Sequence, residues 1–520
     1  MRTCLSVDDV EYPAQRKIKF PQSHYQAYFW LIICATTGVA LAYLFKGSRE
    51  LDGGYHYLFA RWAWRRPELL VGVWSRPLFT LLYAFPAMAG HQTAKLFSVL
   101  ICLVIAHQTW RLATDLEIER ASLAIAFLWL QPMFFLYCSD TMTEPVFALV
   151  YILALRLHYL GRVKAGMIIA SLTILARPEG FFLCALWSFW ALAGERPMDG
   201  KTWSLTRLSF SAATSIPWLA TGPFIWWLAA LTITGDSLFI INNWPPNWSA
   251  TGAIYGTAIY PLRLPEIVGL LTLPPFIYGL IHLLKHRKLG AITSTFLLLF
   301  ILHTILRAFG MFGSAGYPRY MISVSPAIAL IILVGWNRLA PLFTDTSRFF
   351  RTASAAVVLI VCAYTDFVYA DCIELTRDVR ATLALYSWLQ PRQQQFNVTR
   401  FIWSEPYACI LLNRDPWENP SFTHNRKNDL KILQDSPPGT LVQWDERVGP
   451  KWIGLKAADF EEAGYVRLHS QSFTLNGYIV DRPWFGYGGP RRQTMYWFYK
   501  PSEGKRNSSP PTPPQITPKI

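Results

Sequence analysis

The sequence has little charge for its length. Only 16% of its 520 residues are Asp, Glu, Lys or Arg, whereas 52% are hydrophobic and 15% are aromatic. A soluble domain carries about 25% charged residues, so the composition excludes that class and indicates a polytopic membrane protein. The formal net charge is +15, but the basic residues form short clusters between apolar runs. This distribution follows the positive-inside rule and does not favour nucleic acid as a partner.

Metal-binding cysteine pairs and internal repeats are also missing. The eight cysteines show no CxxC spacing, so they predict no metal site. The first apolar run lacks a small-residue cleavage site and is followed by many others, so we expect no cleavable signal peptide. No internal repeat is recognised, which disfavours a transporter built from inverted repeats.

The apolar runs predict an all-α polytopic membrane protein with about eleven transmembrane helices, because a span needs roughly 17–25 apolar residues. Six runs meet this length clearly: 27–45, 121–139, 208–234, 267–284, 289–306 and 320–336. Weaker or shorter runs complete the set: 93–110, 145–160, 165–176, 180–194 and 352–365. The proline-containing run 74–89 is predicted to lie on the membrane surface, since a span there would reverse every later loop.

This topology divides the chain into four parts. They are a cytoplasmic segment 1–26, a transmembrane domain 27–372 whose first extracytoplasmic loop is 46–92, an extracytoplasmic α/β domain 373–500, and a disordered Pro/Ser-rich tail 501–520. In the α/β domain, "NVTRFIWSE" and "GTLVQWDE" predict strands, and helices are expected near 376–390 and 453–464. The plasma (inner) membrane is the predicted location, and an endoplasmic reticulum membrane would give the same topology.

Charged residues at the outer ends of the spans are the candidate functional residues, because a charge at the centre of a membrane helix costs about 2.5–3.5 kcal/mol. Asp52 is followed by Gly53 and Gly54, which would let the backbone turn and approach a substrate; a solvated loop acid is the alternative. Asp140 and Glu144 lie in "YCSDTMTEPVF". Glu144 could instead only complement the start of a helix.

Two arginines are expected on the same face. Arg177, in "LARPEGFF", could simply pair with Glu179. Arg319 lies in "GSAGYPRYMISVSP", where a glycine-rich loop delivers it and Tyr320 to a helix start. This combination suits a phosphate group. Because residues outside the motifs fix the topology, a shared site is favoured over coincidence.

At these positions the sequence resembles the GT-C superfamily of polytopic glycosyltransferases, the group with the protein O-mannosyltransferases and the aminoarabinose transferase of lipid A. The resemblance covers roughly residues 27–340 and rests on Asp52, "WSRPLFTLLYAFPAMAG", "SDTMTEP", "ARPEG" and "YPRYMISVSP", in this order. Many members have two adjacent acids in the first loop, whereas glycine follows Asp52 here.

The resemblance implies a hexosyl- or pentosyltransferase that takes its sugar from a polyprenyl-phosphate donor, with inversion, and transfers it to a lipid, glycan or protein acceptor. Asp52 would be the general base. Asp140 would orient the acceptor or, together with Asp52, hold a divalent cation such as Mg or Mn. The donor phosphate and the substrates would contact Arg319, Arg177, Arg76, Tyr320, Glu144, Tyr55 and His56. The aromatic members could instead be membrane anchors.

Three other functions stay open at this point. A transporter or flippase of lipid-linked sugars would place its charges in mid-membrane, whereas here they are expected at the outer ends. A non-catalytic scaffold would use the α/β domain to bind partners. An O-antigen-ligase-like reaction is an alternative within the enzymes.

Overall fold

The computed structural model describes residues 22–45, 47–48, 51–193, 214–244, 256–311, 314, 316–343, 376–404, 406–418, 422, 425–446, 449–475 and 491–502. The predicted span 352–365, residues 1–21 and nearly all of the tail 501–520 lie outside the described residues. The boundary expected near 372 also lies outside them.

The described part of the chain before residue 344 is built from helices. They are α1 Gln22–Leu44, α2 Leu51–Trp62, α3 Pro77–Met88, α4 His91–Asp115, α5 Leu123–Trp129, α6 Pro132–Tyr137, α7 Thr143–Tyr159, α8 Val163–Ser171, α9 Thr173–Ala176, α10 Gly180–Ala193, α11 Thr221–Thr234, α12 Phe239–Asn242, α13 Ile259–Leu262, α14 Leu264–Val268, α15 Leu273–Lys285, α16 Gly290–Ala308 and α17 Ser325–Leu339. Short 3-10 helices join several of them, including Pro67–Leu70 and Pro318–Val324.

Several of these helices are long and apolar enough to cross a membrane. Five satisfy this criterion among the described residues: His24–Leu44, His91–Asp115, Ile216–Thr234, Gly290–Ala308 and Pro318–Leu339. A sixth is counted if the pair Gly256–Val268 and Leu273–Lys285, bent by 113°, is one span. A polytopic helical membrane protein is therefore confirmed, whereas the number of eleven spans stays a prediction.

The run predicted as one span over 121–139 is interrupted. Helix α5 ends at Trp129 and α6 begins at Pro132, because a proline has no N–H for the helical ladder and its ring displaces the preceding turn. Gln131, which has an extended backbone, supplies hydrogen bonds at this break. Its Nε2 donates to the carbonyls of Phe127 at 3.2 Å and Ser325 at 3.0 Å. Helix α3, within the predicted surface run 74–89, has 12 residues and is too short to span a bilayer alone.

The C-terminal part contains a small mixed sheet. Its strands are β1 Arg400–Trp403, β2 Thr440–Asp445, β3 Val466–Leu475 and β4 Arg491–Tyr499, in the spatial order β1-β2-β4-β3. Strands β1 and β2 are parallel, and the other neighbours are antiparallel. The helices around the sheet are α18 Thr376–Leu389, α19 Pro406–Leu412, α20 Arg426–Asp435, α21 Gly449–Trp452 and α22 Ala457–Glu462. The two predicted strands and the helix near 376–390 are confirmed.

One face of the sheet packs its own apolar core, where the ring of Phe460 lies 4.7 Å from Trp444 and 4.8 Å from Phe498. The other side of the C-terminal part packs against α2. There the rings of Phe59 and Trp417 stack at 5.3 Å, and Arg66 Nε forms an ion pair with Asp415 Oδ2 at 3.0 Å. Helix α2 therefore lies between the transmembrane helices and the sheet.

Candidate active site

Asp52 lies in the first turn of α2, so the expected turn at the glycine pair was wrong. Gly53 is helical, and a Cβ there would collide with the Ser48 hydroxyl and lie 2.7 Å from Asp140 Oδ1. Gly54 instead faces the C-terminal part, with the Pro406 side chain at 3.6 Å. The first glycine is required for close packing against Asp140, and the acid before it occupies a helix N-terminus, where negative charge is stabilised.

Arg319 joins two acids from distant parts of the chain. Its Nη2 donates to Asp52 Oδ2 at 2.5 Å, and its Nη1 donates to Glu144 Oε1 at 2.9 Å. The side chains of Arg319 and Glu144 are 4% and 0% exposed, whereas that of Asp52 is 38% exposed. This ion-pair chain therefore opens to solvent at Asp52.

Arg177 extends the same network. Its Nη1 lies 2.8 Å from Glu144 Oε1, so one carboxylate oxygen holds two guanidinium groups. Its Nη2 donates to Glu179 Oε1 at 2.7 Å. The local pair with Glu179 exists, as the simpler interpretation proposed, but Arg177 is also part of the larger site. Glu144 likewise begins a helix and also binds both arginines.

Aromatic rings cover the two arginines. Both guanidinium groups lie 5.2 Å from the centroid of the Tyr320 ring, and that of Arg319 also lies 5.1 Å from Tyr317. His303, on α16, lies 5.0 Å from Tyr320 by ring centroids, and its Nε2 lies 3.6 Å from Glu179 Oε1. His303 was not among the residues predicted from the sequence, although a histidine inside an apolar span is itself a sign of function.

Asp140 is held on the other side of Gly53. Its Oδ1 accepts hydrogen bonds from Ser48 Oγ at 2.7 Å and from the Thr141 amide at 2.8 Å. Thr141 Oγ1 donates to the Gly53 carbonyl at 2.7 Å. Asp140 is therefore fixed to the backbone that presents Asp52.

Arg76 differs from the other two arginines. Among the described residues no carboxylate lies within 4.0 Å of it, and its Nη1 donates to the Val73 carbonyl at 3.1 Å. Burial and the positive charge of Arg177 lower the pKa of Arg76 to about 10, against the opposite effect of Glu179. The backbone of Arg76 has φ +59° just before Pro77, a conformation that costs energy in a non-glycine residue and is typical of functional sites.

The charges of the site also set the protonation of its acids and of His56. Burial raises the pKa of Asp52, but the interactions with Arg319 and other nearby groups, including Arg177, together outweigh this effect, so the net pKa lies below the usual range. Glu179 behaves in the same way beside Arg177, with a pKa lowered to about 2. Burial lowers the pKa of His56 to about 3, and the Asp52 carboxylate only partly opposes it. At neutral pH the two acids are therefore ionised and His56 is neutral.

The predicted residues are mostly brought together. Asp52, Glu144, Arg177 and Arg319 form one ion-pair chain, Tyr320 covers it, and Asp140 lies beside it. His56 is one helical turn beyond Asp52 and 6% exposed, and its Nδ1 makes no hydrogen bond with any described residue. Tyr55 instead turns toward the C-terminal part, where its ring lies 5.7 Å from Trp403.

No group of three or more His, Cys, Asp or Glu side chains could hold a metal ion within the described residues, and the divalent cation stays a prediction.

The apolar helices, the short helix α2 after the first of them and the small C-terminal sheet define the fold of a helical membrane protein. A solved structure with this fold is ArnT from Cupriavidus metallidurans bound to undecaprenyl phosphate, which matches with a TM-score of 0.55 and 12% identity over 91% of this chain and 98% of that chain. No protein-family model and no curated protein matches the chain. The likeness confirms the fold that the resemblance implied.

Proposed function

We propose that the protein is a glycosyltransferase of the inner membrane that transfers a sugar from a polyprenyl-phosphate donor to an acceptor on the extracytoplasmic face. The observation that carries this proposal is a buried arginine network with a single open carboxylate, Asp52, at its edge. A lipid-linked donor suits such a site, because its phosphate needs cationic partners and its chain needs apolar helices. The fold shared with ArnT, which was solved with undecaprenyl phosphate, supports the same donor class.

Arg76 is proposed as the first contact of the donor phosphate. Arg319 and Arg177 already have carboxylate partners at 2.5–2.9 Å, whereas Arg76 has none among the described residues. The three arginines balance the three acids Asp52, Glu144 and Glu179. A phosphate that binds Arg76 therefore adds negative charge and competes with Asp52 for Arg319.

This competition provides a mechanism for activating the base. Asp52 cannot take a proton efficiently while Arg319 neutralises it. When the donor phosphate attracts Arg319, Asp52 is released and accepts the proton of the acceptor hydroxyl as its oxygen attacks the anomeric carbon. The bond between that carbon and the phosphate oxygen breaks, and the polyprenyl phosphate leaves with both bonding electrons. Arg319 and Arg76 stabilise the growing charge of the phosphate. Attack from the face opposite the leaving group inverts the configuration.

Transfer of labelled sugar tests the proposal directly. Membranes containing wild type, Asp52→Asn or Arg319→Ala at matched abundance are supplied with undecaprenyl-phosphate-linked pentose and hexose donors. We expect both variants to lose activity about a hundredfold or more, the effect typical of a lost general base or charge-stabilising group. Glu461→Gln is the control, because this residue forms an exposed ion pair with Arg467 in the C-terminal part.

Two results would contradict the proposal. Transfer by Asp52→Asn at the wild-type rate would remove the general base from the mechanism. Absence of transfer by wild type with every donor, together with movement of the lipid-linked sugar across the membrane, would favour a flippase.

A further inference from the structure

A cluster of buried polar side chains lies at the end of the parallel pair β1 and β2. Gln443 Oε1 accepts hydrogen bonds from the amide of Ser404 at 3.1 Å and from its hydroxyl at 3.2 Å. Asp445 Oδ2 accepts from Gln493 Nε2 at 2.7 Å. Gln443, Asp445 and Gln493 are each 1% exposed or less. Four neighbouring polar residues inside a domain with a tryptophan-rich core require an explanation.

The side-chain amide nitrogen of Gln443 in this cluster lacks a partner among the described residues. The Nε2 of Gln443 is buried and makes no hydrogen bond with any described residue. A buried amide left without a partner costs about 1–3 kcal/mol, so an apolar residue would serve a purely structural role better. The cluster therefore offers an unused donor.

The cluster lies on the side of the sheet that faces the active site. Trp403 and Gln443 are register partners on parallel strands, so both side chains point to the same sheet face. The half-buried Trp403 ring contacts the Tyr55 ring at 5.7 Å. Tyr55 is three residues after Asp52 on α2 and shares its side of the helix. Two half-buried aromatic rings thus lead from the partly open carboxylate to the polar cluster.

Aromatic rings next to amides and a carboxylate are suited to a sugar. The apolar face of a pyranose packs on an aromatic ring, its hydroxyls donate to a carboxylate, and an amide N–H donates to its oxygens. We propose that Trp403 and Tyr55 form a subsite for a sugar residue of the acceptor, bordered by the buried cluster around Gln443. This inference rests on the proposed function, and it makes the acceptor a carbohydrate-containing molecule and the C-terminal part the element that selects it.

Saturation-transfer NMR tests the subsite without any transfer reaction. Full-length protein in lipid nanodiscs, free of sugar-based detergent, is titrated with methyl glucoside, methyl galactoside and methyl mannoside up to about 10 mM, a range that detects weak binding. We expect at least one glycoside to bind wild type. Binding should weaken roughly tenfold in Trp403→Leu and in Tyr55→Leu, and Trp403→Phe should retain it because the ring remains.

Trp388→Leu is the matched control. Trp388 is also a half-buried tryptophan of the C-terminal part, but its ring stacks on His469 at 4.4 Å. Equal glycoside binding by Trp403→Leu, Tyr55→Leu and wild type would overturn the subsite. Absence of binding to wild type would overturn it as well, even if sugar transfer is observed. Glycoside binding without any transfer would instead contradict the proposed function and leave a carbohydrate-binding site.

Discussion

Arg319 and Asp52 form an ion pair at 2.5 Å although 267 positions separate them in the chain. The pair connects the first turn of α2 with the start of the helical segment Pro318–Leu339. The arginine is buried and the acid is partly open, so an incoming anion that approaches from the side of Asp52 can compete for the arginine. This geometry makes donor binding and base release one event in the proposed mechanism.

Loss of Arg76 should weaken donor binding selectively. We expect Arg76→Gln to raise the KM for the donor about ten- to hundredfold, because a hydrogen bond to a charged group contributes about 1.5–3 kcal/mol. The KM for the acceptor should not change. Initial rates over a donor concentration series measure the effect, and Arg76→Lys should keep part of the affinity. An unchanged donor KM in Arg76→Gln would show that the phosphate binds elsewhere.

Glu144 is expected to be essential for stability because one of its oxygens holds two buried arginines. Glu144→Gln leaves Arg177 and Arg319 without that charge, and breaking a buried ion pair costs about 3–5 kcal/mol. We expect a markedly lower unfolding temperature in nanodiscs. Glu461→Gln breaks an exposed pair with Arg467 and should change stability by less than about 1 kcal/mol. Equal unfolding temperatures for the two variants would contradict the network.

The neighbouring glycines of α2 should respond oppositely to alanine. Gly53→Ala places a Cβ against Asp140 and the Ser48 hydroxyl, and overpacking of this kind costs about 1–3 kcal/mol. Gly54→Ala meets Pro406 at an ordinary contact distance of 3.6 Å and gains helix propensity of up to about 1 kcal/mol. Thermal unfolding of both variants measures the difference. A tolerated Gly53→Ala would mean that Asp140 does not pack against α2.

His56 should make the protein less stable as the pH falls. Its pKa is lowered to about 3 in the folded protein, whereas an unfolded histidine has a pKa of about 6.5. Below pH 6.5 the unfolded chain therefore binds a proton that the folded protein does not, and stability falls by up to about 1.4 kcal/mol per pH unit. Between about pH 7 and about pH 5, the unfolding temperature of His56→Phe should therefore fall less than that of wild type. Replacement of the exposed His286 by Gln should not; equal losses in His56→Phe and wild type would refute the assignment.

Much of the membrane architecture could be predicted because it depends on local composition. Long apolar runs such as 289–306 became helices, since a helix satisfies the hydrogen bonds of its own backbone within lipid. The break at Pro132 shows the limit of this approach, because hydropathy counts a proline as part of a run although its missing N–H ends the helix. Strands β3 and β4 were not predicted, since their pairing depends on distant partners.

The candidate site was predicted as a set of residues, but not as a set of bonds. Charge at the ends of apolar runs is costly, so Asp52, Glu144, Arg177 and Arg319 could be identified from the sequence alone. Only the fold decided that Asp52 pairs with Arg319, that Arg76 has no carboxylate partner among the described residues, and that Tyr55 meets Trp403. These relationships join segments hundreds of positions apart. Their distances depend on how whole helices pack, which no local pattern of residues determines.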